Sequence, residues 1–281
     1  MSEPVGLNCQ TPAGRRAANN DVNPLLSLPK GQAIDVCSTY KKALVAWKDG
    51  KYSKMLYLLG GTIKAAKEKG TLAQLPREIT SLYYSMPKEY LDIFFENLPD
   101  EIKEMAKQCK NEDEFEVLLA NLEAYTAYFF AIMFTESSFE PKKKSAVGAL
   151  GLMQLMPQTA YEVTGKKHRY TEAELYNPRR NIRIALKFYT KQAIRNFVYH
   201  PEIGNYYFMI PVVLGYKCGH NGAHRNFVGN NYNTDDLLDH YKDGHKMWNG
   251  VNSHAMGILN HHRNMIRARL RDALRPYYAG K

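Results

Sequence analysis

Apolar residues in this chain recur at intervals of three and four, not two, and the pattern starts near Ile34. Ala43, Trp47, Met55, Leu56, Leu59, Ile63 and Ala66 follow it, with Asp49-Gly50 marking a turn between two helices. A local motif then occurs three times: Leu75-Pro76-Arg77-Glu78-Ile79, Met86-Pro87-Lys88-Glu89-Tyr90 and Leu98-Pro99-Asp100-Glu101-Ile102. Proline suits the first helical turn, where its missing N–H would go unbonded anyway, and the glutamate two residues on favours the positive end of the helix dipole. Three short helices are predicted, at a spacing too short for a tetratricopeptide-type solenoid. The region reads as a helical prefix packed on the later helices of the chain, with a partner-docking module as the alternative.

The next predicted helix carries the most chemistry. From Glu112 to Thr135 the apolar stripe runs Leu118, Leu122, Tyr125, Phe129, Ile132, and the next position on it is Glu136. A carboxyl group where a core residue belongs is desolvated, which favours its protonated form and suits a general acid. A glutamate reaching solvent at the helix end is the plain alternative. Beyond it, Ser137 and Ser138 offer hydroxyls, Pro141 stops the helix and Lys142 to Lys144 form a basic turn. Gly148-Ala149-Leu150-Gly151 then removes side-chain bulk before Leu152, Met153, Leu155 and Met156. Glycines there let backbone approach backbone or ligand closely. Gln154, polar within an apolar run, needs a partner if buried.

Composition narrows the function only a little. An apolar fraction of 44% over 281 residues supports a real core, and the net charge of +10 implies an anionic partner or surface. With no CxxC pair, RNP-type motif or zinc finger, nucleic-acid binding is not predicted. The four cysteines, Cys9, Cys37, Cys109 and Cys218, fit no metal knuckle or redox pair and allow three disulfide connectivities. No uninterrupted apolar run long enough for a transmembrane helix is read, and the first residues lack the pattern of a signal peptide. Residues 1–30 read as a flexible arm.

Seven of the nine histidines lie from His220 onward: His220, His224, His240, His245, His254, His261 and His262. With Cys218 and Asp235-Asp236 they have the donor types for zinc, but their spacing matches no strong motif, so neither metal nor cofactor is predicted and surface or ring-stacking roles are expected. The stretch from Ile258 to Tyr277 is helical, with an arginine-rich face expected to be solvated or to lie along an anionic polymer.

The string Glu136-Ser137-Ser138-Phe139-x-Pro141, then Ser145-x-x-Gly148-Ala149-x-Gly151-Leu152-Met153-Gln154-Leu155-Met156-Pro157-x-Thr159-Ala160, resembles the signature of the soluble lytic transglycosylases, enzymes of the lysozyme-like superfamily that cut bacterial peptidoglycan. A second block, Asn177-Pro178-x-x-Asn181-Ile182 with Ala185 and Phe188-Tyr189, resembles the family's next helix. A third, Gly215-Tyr216-Lys217-Cys218-Gly219, resembles its Tyr-Asn-Ala-Gly motif, with Lys217 and Cys218 departing from it. The resemblance spans roughly residues 115 to 225.

It implies an all-α fold: a lysozyme-like catalytic domain over 112–281, after the arm and a helical N-terminal region over 31–111. It implies cleavage of the β-1,4 bond between N-acetylmuramic acid and N-acetylglucosamine with formation of a 1,6-anhydro product. Glu136 would be the sole acid/base, and Ser145, Gln154, Met156, Tyr216 and Lys217 would bind substrate. The implied partner is the peptidoglycan glycan strand, in the bacterial cell envelope. A hydrolytic muramidase of the goose-lysozyme type is the alternative within the fold. A non-catalytic wall-binding protein is the alternative outside enzymology, motivated by Lys217 and Cys218.

Overall fold

A computed structural model describes residues 30–165, 168–199, 209–218, 238–239 and 243–280. The expected arm up to residue 29, the loop at 227–233, His220, His224, Asp235, Asp236 and His240 lie outside these residues. The fold is all-α. Among the described residues, extended pairing is limited to two isolated bridges, Lys144 with Leu150 and Leu150 with Leu155.

The chain forms two compact units, Met1–Ser85 and Met86–Lys281, so the helical region expected over 31–111 runs through both. In the first unit α1 (Lys30–Lys48) and α2 (Tyr52–Glu68) make a hairpin. Its turn is closed by Gly50 N–H on Trp47 O at 3.0 Å and Lys51 N–H on Ala46 O at 2.8 Å. Gly50 takes a φ of +70°, a region that favours glycine. Ala43 on α1 and Met55, Leu56, Leu59, Ile63 and Ala66 on α2 are buried, as their periodicity predicts; Tyr40 and Ala46 are buried as well, while Trp47 is half-buried. After a 3-10 turn at Leu72–Gln74, α3 (Arg77–Tyr83) buries Ile79 and Leu82. Cys37 is disulfide-bonded, whereas Cys109 of the second unit is a buried free thiol.

The second unit holds α4 (Lys88–Glu96), α5 (Asp100–Gln108), α6 (Glu112–Ser137), α7 (Pro157–Val163), α8 (Glu172–Tyr176), α9 (Pro178–Tyr199), α10 (Met209–Cys218) and α11 (Gly244–Leu274). Pro76, Pro87 and Pro99 sit one residue ahead of α3, α4 and α5, where each carbonyl accepts the first helical N–H bonds. Helix α6 is the axle of the unit. Asn111 caps it by accepting Glu114 N–H at 2.8 Å, and from Leu122 to Met133 every residue is buried. A helix apolar on all sides belongs inside a protein. By length and composition α6 passes for a membrane span, but 78% of its most apolar window is buried against the rest of the protein. Phe94 of α4 packs on Phe129 and Phe130 at 5.1 and 5.5 Å between ring centroids. Polar staples tie α6 to α9: Tyr189 donates to Tyr125 O at 2.9 Å, and the Tyr125 and Thr190 hydroxyls meet at 2.6 Å.

Helix α11 corrects one expectation. Its arginine face was expected to meet solvent or a polymer, but Arg263, Arg267, Arg271 and Arg275, four apart, face the acidic side of α6. Arg267 pairs with Glu123 at 2.7 Å and with Glu116; Arg271 pairs with Glu116; Arg275 pairs with Glu112 at 2.7 Å. Arg263 adds a contact to Glu123 at 3.4 Å. Glu123 is only 5% exposed, so these guanidiniums offset the burial of its charge. Arg269, between them, pairs with Asp92 at 2.8 Å and lies over the Phe95 ring.

Candidate active site

Helix α6 ends abruptly one residue after Glu136. Ser138 and Phe139 both take left-handed backbone, φ 54° and 63°, which is strained for non-glycine residues. The strain is held by Ser138 N–H on Phe134 O at 2.8 Å, by Glu140 N–H on Ser137 O at 3.1 Å, and by burial of the Phe139 ring. Glu136 therefore sits on the final turn and is half-buried, not enclosed like the rest of its stripe. Phe134, two residues before it, stacks on buried His254 of α11 at 3.7 Å, so one expected ring-stacking histidine is found beside the acid's helix end.

The glycine-rich string forms a compact loop between α6 and α7. Ser145 N–H donates to Ala149 O and Ala149 N–H returns to Ser145 Oγ, both at 2.9 Å. Leu150 and Leu155 exchange two backbone bonds at 3.0 Å, and Gly151 N–H reaches Lys143 O at 2.8 Å. Gln154 adopts φ 46° and donates Nε2 to the carbonyls of Lys143 and Gly151 at 3.1 and 2.9 Å. The Ser145 and Gln154 side chains thus both brace this loop. Met156, 39% exposed, opens α7 with Pro157 at the first helical position. Of the three basic residues at 142–144, all exposed, Lys144 pairs with Glu172.

The loop is anchored from two other helices, and both anchors hold one residue of the turn, Met153. Asn181 of α9, completely buried, accepts Met153 N–H at 2.9 Å and donates to Leu150 O and Leu175 O at 3.0 and 2.8 Å. Tyr216 of α10 donates its hydroxyl to Met153 O at 2.8 Å. Gly151 leaves room for this: a Cβ there would lie 2.4 Å from both Asn181 Nδ2 and Leu175 O. The Tyr216 ring is half-exposed, but its hydroxyl is surrounded by protein. That burial, and secondarily the charge of Glu136, pushes the hydroxyl well above its ordinary value of 10.0. Glu136 and Tyr216 therefore share one electrostatic neighbourhood with the Gly151–Gln154 turn. The side chains of Lys217 and Cys218 lie outside the described residues. Asn181 is the organising residue for which sequence reasoning named no role; a polar residue beside Ile182 in a buried stretch was its signal.

This geometry brings one carboxyl group, one buried phenol and a rigid, glycine-opened loop together at a helix end. Residues 118–238, from within α6 to beyond α10, match the family described as the Transglycosylase SLT domain. The match covers less than half of the 281-residue chain. The domain is all-α and lysozyme-like, and the matched span includes Glu136 and every other expected site residue. The chain is also 42% identical over 62 residues to the membrane-bound lytic murein transglycosylase E of Buchnera aphidicola subsp. Acyrthosiphon pisum (strain APS). That alignment covers 21% of this chain and 28% of the relative. Among the described residues, no group of three or more histidine, cysteine or acidic side chains is placed to hold a metal ion around the SLT domain or elsewhere.

Proposed function

We propose that this protein is a peptidoglycan lytic transglycosylase of the bacterial cell envelope, with Glu136 as its acid/base. The observation that carries the reading is the position of Glu136: half-buried on the last turn of α6, within electrostatic reach of the phenol that holds the Met153 turn. The SLT family match and the name of the aligned relative support the same reading.

In this mechanism Glu136 gives its proton to the glycosidic oxygen between N-acetylmuramic acid and N-acetylglucosamine, and the C1–O bond breaks. The substrate's N-acetyl group stabilises the cationic C1. Glu136, now a carboxylate, takes the proton of the muramyl O6 hydroxyl as O6 bonds to C1, closing a 1,6-anhydro ring. One residue serves as acid and then base, so the two-carboxylate arrangement of ordinary glycosidases is not required. Met156, exposed at the head of α7, is the residue of the proposed groove best placed for apolar contact with a sugar face. Ser145, Gln154 and Tyr216 act by holding the loop that shapes it, and Lys217 replaces the family's asparagine as a substrate contact.

The test is muropeptide release from purified sacculi by the full chain and its Glu136→Gln variant. The wild type is expected to release anhydro-ended products, lighter by one water than hydrolysed ones, and the variant none. Hydrated ends would overturn the transglycosylase reading in favour of a goose-lysozyme-type muramidase, and equal release by both proteins would remove Glu136 from its role.

A further inference from the structure

Helix α9 carries a second row of basic residues, and it is treated differently from the one on α11. Arg179, Arg183, Lys187 and Lys191 lie four apart, all exposed, over about 18 Å of helix. Like charges four apart on one face destabilise a helix. On α11 that repulsion is offset by the glutamates of α6. On α9 it is not: of the four, only Arg179 makes an ion pair among the described residues, with Glu96. Lys187 is felt by Asp100, but that carboxylate is already bonded to Lys103.

The row begins in a cleft of about 460 Å³ lined by Ala173, Glu174, Asn177, Arg179, Arg180 and Arg183. Among the described residues, the one carboxylate in the cleft is already engaged. Glu174 accepts from Thr171 N–H and its hydroxyl, from His168, and from Arg180. Arg180 also lies over the Tyr170 ring. Three guanidiniums facing one committed carboxylate leave the cleft cationic. Arg183 makes no ion pair among the described residues, so its donors are available to a ligand. Guanidinium forks match planar oxyanions, which they bind two bonds at a time.

We infer that the Arg179–Arg183 cleft and the basic row leading from it bind the carboxylates of peptidoglycan stem peptides. This inference rests on the proposed substrate. The row lies within the matched residues 118–238, and the proposed substrate has a part that projects away from its sugar chain. On peptidoglycan that part is a peptide bearing carboxylates at intervals, which complements cations placed every four residues. The cleft is thus a peptide-reading site separate from the glycan site at Glu136.

The test uses the full chain in a Glu136→Gln background, so that binding is measured apart from cleavage. Its affinity for sacculi is compared with that of Arg183→Glu and Arg183→Ala, on intact sacculi and on sacculi stripped of stem peptides by an amidase. Charge reversal is expected to weaken binding to intact sacculi about 10-fold, with a smaller loss for alanine, and neither change should matter on stripped sacculi. Unchanged binding to intact sacculi would overturn the inference while leaving the proposed function standing. An equal loss on both sacculi would also overturn it, pointing to an anion other than the stem peptide. Absence of binding by the parent protein would overturn both. Arg183 is exposed, so these substitutions are not expected to disturb folding; matched urea midpoints check this.

Discussion

Gly151→Ala tests the steric demand of the loop between α6 and α7, with Gly148→Ala as its control. Both glycines have positive φ, +77° and +88°, so alanine at either is strained by roughly 1–2 kcal/mol. At Gly148 that is the whole effect, because a Cβ meets nothing within 4 Å. At Gly151 the new Cβ would lie 2.4 Å from Asn181 Nδ2 and from the Leu175 carbonyl, about 1 Å inside ordinary contact. Leu175 O is backbone and Asn181 is enclosed, so the asparagine must shift and strain or lose its bonds to Leu150 O and Leu175 O. Each buried bond lost adds roughly 1–3 kcal/mol. With one such bond lost, the expected destabilisation is therefore about 2–5 kcal/mol for Gly151→Ala against about 1–2 for Gly148→Ala. Urea denaturation with shared m-values measures both, and muropeptide release from sacculi should fall far more for Gly151→Ala. Equal midpoints for the two variants would refute the idea that Asn181 and Gly151 lock the loop.

Two other outcomes are expected. Arg267→Met should destabilise by about 2–3 kcal/mol because buried Glu123 then keeps only Arg263 among the described residues, and adding Glu123→Gln should recover part of that loss; strict additivity in the double-mutant cycle would refute the coupling. Arginine bonds lower Glu116, and hydrogen bonds from Thr171 and His168 bring Glu174 to about 2, both from an ordinary 4.5. Because the folded state holds these protons less tightly, their stabilisation is complete above pH 4.5 and is lost as pH falls towards 2. Glu174→Gln should flatten the decline of the urea midpoint across that window, and a parallel curve would count against it.

The helices were legible because their signals are local. The threes and fours of α2 and α6, the Asp49-Gly50 turn and the three proline starts each depend on residues within a turn or two of one another. The stripe on α6 runs on to Glu136, but periodicity alone does not reveal that two left-handed residues end the helix there and leave the carboxyl half-buried. The arginines of α11 looked like a solvated face because their partners, Glu112, Glu116 and Glu123, lie more than a hundred residues away, and a helical period does not encode which face meets which. Gln154 announced that it needed a partner, but not that the partners are loop carbonyls. Asn181 lacked a sequence-level role because its three bonds reach two other segments that converge only once the chain is folded.

Helix α6 spans 26 residues, about 39 Å, and divides its labour along that length. The carboxylates that fasten it to α11 occupy its first half, and Glu136 is next to last, about 20 Å beyond Glu123. Sites that far apart respond independently to change. A lineage carrying this helix can redraw its charge ladder for a hotter or saltier habitat while the acid stays where it is.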